Sequence, residues 1–357
     1  MNSERYNRQV ILKDFGPEAQ QKLADAKVLV VGAGGLGIPV LTYLNATGVG
    51  TLGIVDNDTV AISNLHRQVL YGENDVGQAK VQVIVKKLQR QNSTTNLIPH
   101  TDFLNRENAL QIIAEYDLVV DATDNFPSRY LINDACVVQG KPFVYGALHG
   151  YEGQVSVFNF EAGPTYRCLY PDMPKEDEVP NCNEHGVLGI IPGIIGNFQA
   201  LETIKIITGI GEPLSGRLLL YDGLSQRIQK IKFNKVEANL KISELANSYE
   251  FACDEKMHSI EAIGLMPLLS DNEIELIDVR TDEEYSLANL KMAKHIPLSE
   301  LKERQEEIDL SKPVYLLCQS GIRSRKALAL LQEWYPQKTF VNVNGGMSKL
   351  HTYADLG

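Results

Sequence analysis

The sequence predicts an α/β protein built from two successive domains, the second the smaller. Three observations carry that expectation. The 357 residues exceed the length at which a single core stops growing. Short apolar runs bounded by glycine or acid alternate with helix-length segments. In each half one apolar run leads straight into a small-residue turn and then a helix, at residues 28–47 and again at 314–334.

In the first half, Val28-Leu29-Val30-Val31 suits a strand buried on both faces. It opens into Gly32-Ala33-Gly34-Gly35-Leu36-Gly37 and a helix-like run over residues 38–47. A second apolar run, Thr51-Leu52-Gly53-Ile54-Val55, ends at Asp56. Strand, glycine turn, helix, strand and acid form the layout of a nucleotide-binding βαβ unit. Gly32, Gly34, Gly35 and Gly37 let the backbone approach phosphates, the helix start offers free N–H groups, and Asp56 is placed to accept from a ribose.

The residues beyond Asp56 argue against a dinucleotide. Asp58, Ser63, Asn64, Arg67 and Gln68 come next, then Lys80, so two cations, Arg67 and Lys80, lie close to the nucleotide turn. A triphosphate that expels pyrophosphate needs such cations more than a dinucleotide does. A third strand, Asp117-Leu118-Val119-Val120, runs into Asp121-Ala122-Thr123-Asp124-Asn125, where Asp124 is placed to hold Mg²⁺ on the phosphates. Taken singly, Arg67, Lys80 and Asp124 read as solvated surface charges. The ordered set reads as a site.

Together with Arg5-Tyr6-Asn7-Arg8-Gln9 and Gly150-Tyr151-Glu152-Gly153-Gln154, these motifs resemble the MoeB/ThiF family of ubiquitin-activating-like adenylyltransferases over residues 1–235. The resemblance implies a Rossmann-like adenylation domain. It implies ATP and Mg²⁺ as cofactors, and as substrate the C-terminal Gly-Gly carboxylate of a ubiquitin-fold sulfur carrier protein. It places Asp56 on the ribose, Arg67 and Lys80 on the phosphates, Asp124 near Mg²⁺, and Asp58, Ser63, Asn64, Gln68 and Asn125 in the same nucleotide site. Arg8 corresponds to an arginine that the family delivers across a homodimer interface.

Two features concern cysteines. Many family members hold zinc with two Cys-x-x-Cys pairs, because four thiolates satisfy its tetrahedral preference. Here Thr165 and Glu250 stand in those pairs, leaving Cys168 and Cys253 as remnants, so zinc is not expected. Cys182 aligns with a cysteine that the family carries on a loop near the adenylate, after an acidic, Pro-rich stretch. A thiol there can attack the adenylate or resolve a disulfide-linked intermediate. Cys136 has no assigned role.

Residues 236–257 are polar and weakly periodic, which suits a linker with a helical turn near residues 243–246. From residue 258 a second domain begins, extending to residue 357. Val314-Tyr315-Leu316-Leu317 leads to Cys318-Gln319-Ser320-Gly321-Ile322-Arg323, then a helix. Backbone N–H groups and a helix start converging on Cys318 stabilise a sulfur anion. Four residues separate Cys318 from Arg323, one fewer than in cysteine phosphatases, where position 324 would be arginine and not serine. The shorter cradle suits a persulfide. With Asp278-Val279-Arg280 and Asn344-Gly345-Gly346-Met347, the segment resembles a rhodanese domain, which implies a Cys318 persulfide.

Composition bounds the rest. At 44% hydrophobic and 22% charged, the chain is neither disordered nor fibrous. A net charge of −11 argues against nucleic acid or an anionic membrane as partner. Five scattered cysteines, without a signal peptide, suggest reduced thiols and a cytoplasmic protein. The two halves then explain each other: one makes an acyl adenylate, the other holds sulfur to attack it, and a thiocarboxylate results. Molybdopterin or thiamine carriers are the expected substrates, molybdopterin slightly preferred, with a cysteine desulfurase as sulfur donor. The rival reading is an adenylyltransferase whose rhodanese module is regulatory or serves another acceptor.

Overall fold

The apolar run after residue 27 forms strand β1 (Lys27–Val31), whose last four residues are buried. Parallel to it lie β2 (Thr51–Val55) on one side and β4 (Leu118–Asp121) on the other, with β3 (Asn96–His100) beyond β2 and β5 (Phe143–His149) beyond β4. Strands β6 (Glu152–Phe158), β7 (Arg217–Asp222) and β8 (Arg227–Lys232) extend the sheet antiparallel, in the order β3-β2-β1-β4-β5-β6-β7-β8. This is a computed structural model that describes residues 3–174, 186–249, 258–269 and 274–354. Contacts divide the chain into two units, Met1–Phe251 and Ala252–Gly357.

The strand order reverses between β1 and β4, and an open α/β sheet offers its ligand crevice at the carboxyl ends of such a pair. Val31 pairs with Asp121, so the glycine turn and the acidic turn leave the sheet side by side. Glycine is required there by contact. A Cβ on Gly32, whose φ is +101°, would lie 2.6 Å from the Ala122 carbonyl oxygen. On Gly37 it would lie 1.8 Å from the Gly32 carbonyl oxygen. At Gly34, by contrast, the nearest atom would be Gln68 Nε2 at 3.6 Å, which leaves a cradle open to solvent.

Helices Gly37–Thr47 and Ile190–Thr208 pack together on one face of the sheet. The second is long and apolar enough in composition to cross a membrane, but it is a core helix of this unit. It buries Ile191, Ile195, Gly196 and Gln199, and Gln199 donates to the carbonyls of Asp121 and Val144. Strand β8, at the sheet's edge, is exposed on both faces.

The stretch expected to be linker is packed along residues 236–249. Its one helical turn is a 3-10 turn at Glu237–Leu240, not at residues 243–246. Leu245 and Tyr249 are buried in the core of the first unit, where apolar contact outweighs the polar character of the stretch. Tyr249 donates its hydroxyl proton to Asp134 Oδ2 at 2.8 Å. Asp134 also receives Arg167 Nε at 2.7 Å and Nη2 at 2.8 Å, a planar fork on a buried carboxylate. Asn239 donates to the Arg167 carbonyl at 2.9 Å and Arg106 to that of Ala246 at 3.0 Å.

In the second unit five parallel strands run β11-β10-β12-β13-β9, with β9 His258–Glu261, β10 Glu275–Asp278, β11 Lys294–His295, β12 Val314–Leu317 and β13 Phe340–Asn344. The helix after β12 begins at Ile322, within the predicted cradle.

The packing of residues 236–249 predicts that Tyr249→Phe destabilises the first unit alone. A lost hydrogen bond to a charged partner is worth about 1.5–3 kcal/mol. The single tryptophan, Trp334, lies in the second unit and reports on that unit only. Urea unfolding should therefore show an earlier far-UV transition with an unchanged Trp334 fluorescence transition.

Candidate active sites

One cavity of about 1160 Å³ opens where β1 and β4 end. Gly32, Gly34, Gly35, Asp56, Asp58, Asn64, Arg67, Gln68, Lys80, Asp124 and Asn125 all line it, although they span almost a hundred residues of sequence. Gly37 and Ser63 are not in the lining; Gly37 closes the turn from behind and Ser63 offers its carbonyl to Arg67 Nη1 at 3.3 Å.

Asp56 does more than await a ribose. Its two oxygens accept the backbone N–H groups of Ala33 at 2.7 Å and Asp58 at 2.9 Å, which ties the glycine turn to the end of β2. Burial raises its carboxyl above the ordinary carboxylate range, against the pull of Lys80. Lys80 is itself buried; its ammonium bonds Asp58 at 2.8 Å and lies 3.9 Å from Asp56. Arg67 is aimed by Asn64 Oδ1 at 2.9 Å. Gln68 is buried with its Oε1 unpartnered among the described residues, in a wall that faces the cavity. Asp124 is exposed on that wall, a hard oxygen donor of the kind Mg²⁺ takes. Asn125 instead caps helix Phe126–Val138, accepting from Ser128 N at 2.9 Å. Arg8 is exposed on helix Ser3–Val10 and does not line the cavity of its own chain.

Sequence reading missed Arg129. It is buried on the cavity wall, with Phe126 and Tyr145 rings 5.3 and 5.5 Å from its guanidinium, and it donates to the Thr123 carbonyl at 3.2 Å. It thereby braces the turn that presents Asp124. Nearby Asp121, fully buried, accepts Thr123 Oγ1 at 2.6 Å, and desolvation raises its carboxyl despite the attraction of Arg129. The far end of the cavity is walled by Gln154, Tyr221, Asp222 and Arg227 from the antiparallel strands.

The second site is the turn after β12. The Cys318 sulfur is buried and accepts from Gly321 N at 3.1 Å and Ser324 Oγ at 3.4 Å. Ser324, the residue that marked the departure from phosphatases, is thus a donor to the sulfur. The turn is held from three sides. Met347 N and Ser348 N donate to the carbonyls of Cys318 and Gln319, Arg280 Nη1 reaches Gln319 Oε1 at 3.3 Å, and Arg323 forks onto Glu284 at 2.5 and 2.6 Å. Ser320 is exposed and Ile322 opens the helix.

Of the other cysteines, Cys136 is a core residue whose thiol is pushed far up by burial. Cys168 accepts from Val236 N at 3.3 Å and Thr165 N at 3.4 Å. Among the described residues no three metal-ligating side chains converge. Threonine at position 165 leaves Cys168 without the second thiolate of a Cys-x-x-Cys pair. Cys182 and Cys253 lie outside the described residues.

A glycine-turn nucleotide domain joined to a cysteine-loop domain defines a class: an enzyme that activates with a nucleotide and handles sulfur. The family models agree. Residues 6–241 match the ThiF family and residues 265–352 the rhodanese-like domain. The adenylyltransferase and sulfurtransferase MOCS3 of Xenopus laevis is 40% identical, over 96% of this chain and 85% of its own length. The probable adenylyltransferase/sulfurtransferase MoeZ of Mycobacterium tuberculosis is 41% identical, over 92% of this chain and 88% of its own. The sulfur carrier protein adenylyltransferase of Thermus thermophilus is 52% identical, over 64% of this chain and 86% of its own. A crystal structure of E. coli MccB with MccA-N7isoASN shares the fold, with a TM-score of 0.61 at 23% identity, over 68% of this chain and 75% of that one. The chain belongs to the ThiF family, in the form that carries a C-terminal rhodanese-like domain. It is an ATP-using adenylyltransferase with sulfurtransferase activity.

The Glu284–Arg323 fork gives the second unit an acid dependence. Hydrogen bonding from Arg323 holds the Glu284 carboxyl down at about 2, against an ordinary 4.5. A carboxylate so depressed contributes stability in full above pH 4.5 and loses it as pH falls through about 2. Glu284→Gln should flatten the acid limb of Trp334-monitored stability between those values. An unaltered acid limb would contradict the assignment.

Proposed function

We propose that the first unit adenylates the C-terminal glycine of a ubiquitin-fold sulfur carrier protein ending in Gly-Gly, and that the second supplies the sulfur for its thiocarboxylate. One observation carries this reading: the glycine turn, Asp56, Arg67, Lys80 and Asp124 meet in a single cavity. At about 1160 Å³ the cavity exceeds the usual small-molecule range of ~300–1,000 Å³, and its far wall at Gln154, Tyr221 and Arg227 suits an extended peptide tail beside the nucleotide.

A carrier carboxylate oxygen attacks the α-phosphorus, and the bond to pyrophosphate breaks with its electron pair on the leaving group. Positioning and positive charge suffice for that step. Arg67 and Lys80 face the departing charge, and Arg129 fixes the turn that holds Asp124. Asp124 would hold Mg²⁺, which supplies further neutralisation of the phosphates. Arg8, exposed outside its own cavity, would complete the site of the partner in a homodimer.

The terminal sulfur of a Cys318 persulfide then attacks the acyl carbon and displaces AMP, giving an acyl disulfide. Cys182 thiolate attacks Cys318 Sγ, expels the thiocarboxylate and leaves a Cys182–Cys318 disulfide for an external dithiol to reduce. A cysteine desulfurase would recharge Cys318. The pathway would be cytoplasmic, with molybdopterin synthesis favoured over thiamine, and no zinc would take part.

Pyrophosphate exchange in the presence of carrier should persist in Cys318→Ala and fall at least about 100-fold in Asp124→Ala. With a persulfide donor, the parent protein should give the carrier the mass gain of oxygen-to-sulfur exchange, and Cys318→Ala should not. A carrier that is adenylated without gaining sulfur would leave the second unit as a regulatory module.

A further inference from the structure

We propose that Tyr71 positions the phosphate-binding glycine turn, by holding the Ala33 carbonyl away from the nucleotide so that the turn offers the phosphates N–H groups alone. The phenol is buried, and its hydroxyl donates to the Ala33 carbonyl at 2.9 Å. The Lys80 carbonyl lies further off, at 3.5 Å. A phenol has one proton to give, and the shorter contact takes it. Burial, with the carboxylates of Asp56, Asp75 and Asp58 nearby, pushes this phenol far above its ordinary range. The hydroxyl therefore stays a donor at any pH the enzyme works in.

What that bond decides follows from peptide geometry. The carbonyl of one residue and the N–H of the next lie in one plane and, across a trans bond, point in opposite directions. None of the peptide bonds here is cis. Aiming the Ala33 carbonyl at Tyr71 thus aims the Gly34 N–H the other way. Gly34 and Gly35 line the cavity, and among the described residues neither N–H is given to a backbone acceptor. The preceding peptide is fixed separately, since Ala33 N–H goes to Asp56 Oδ2 at 2.7 Å.

Glycine alone would not hold this arrangement. Gly34 tolerates backbone angles on both sides of its peptide, so the Ala33–Gly34 plane is free to turn over. Turned over, it would set a carbonyl oxygen against the phosphates. Tyr71 also belongs to the segment that carries Arg67 and Gln68, and its own N–H donates to the Gln68 carbonyl at 3.0 Å. Its hydroxyl therefore fixes the glycine turn against the same segment that supplies a cation to the site.

The test uses the full-length protein with Mg²⁺ and two probes, ATP and adenosine, each Kd read by calorimetry. Tyr71→Phe keeps the ring and removes the proton. It should weaken ATP about tenfold, the scale of one lost hydrogen bond, and leave adenosine, which has no phosphate to meet the turn, within about twofold. Retained adenosine binding shows that the variant is folded, so the loss is specific to phosphate. Tyr71→His, which restores a ring N–H donor, should recover part of the ATP affinity. Unchanged ATP affinity in Tyr71→Phe, or equal losses for ATP and adenosine, would overturn the proposal while leaving adenylation by this cavity intact.

Discussion

Everything in the first unit depends on how closely β1 and β4 run at their carboxyl ends. Gly32 stands so near the Ala122 carbonyl that a Cβ would lie 2.6 Å from it, and Gly37 so near Gly32 that a Cβ would lie 1.8 Å from that carbonyl. Two turns that must carry opposite chemistry, N–H groups for phosphate and a carboxylate for a cation, are thereby forced into one crevice. Widening the approach by a single methyl would separate them. The constraint is steric, and the chemistry is its consequence.

Charge at both sites is organised in matched sets and not as loose cations. Lys80 is held by Asp58 and Asp56, Arg67 by Asn64, Arg323 by Glu284 and Arg280 by Asp278. Held side chains cost less reorganisation when an anion arrives, which is how preorganised electrostatics lowers a barrier. The same economy explains the packing of residues 236–249. There Asp134 gathers Arg167 and Tyr249, and backbone N–H groups take the Cys168 sulfur.

Much of the fold was legible because its signals are local. The glycine turn, Asp56, the acidic turn at residues 121–125 and the Cys318 loop each lie within a few residues of the strand that presents them, so order along the chain was enough. Arg129 was not legible: its role comes from facing Tyr145 of β5 from its own helix and bonding the Thr123 carbonyl, a tertiary fact. Gln154, Tyr221 and Arg227 reach the cavity only through antiparallel pairing of β6, β7 and β8. Glu284 was not singled out in the sequence, since the capping box that fixes it gives no hint of an arginine 39 positions on. Residues 236–249 misled by composition; two apolar side chains, Leu245 and Tyr249, outweighed a polar stretch.

Hydrogen–deuterium exchange on adding ATP and Mg²⁺ to the intact chain tests the central claim most directly. Slower exchange should appear around residues 32–37, 56–58, 64–68 and 121–129, where the two turns share one cavity, with none around Cys318. Protection confined to the second unit, or to only one of the two turns, would contradict the account.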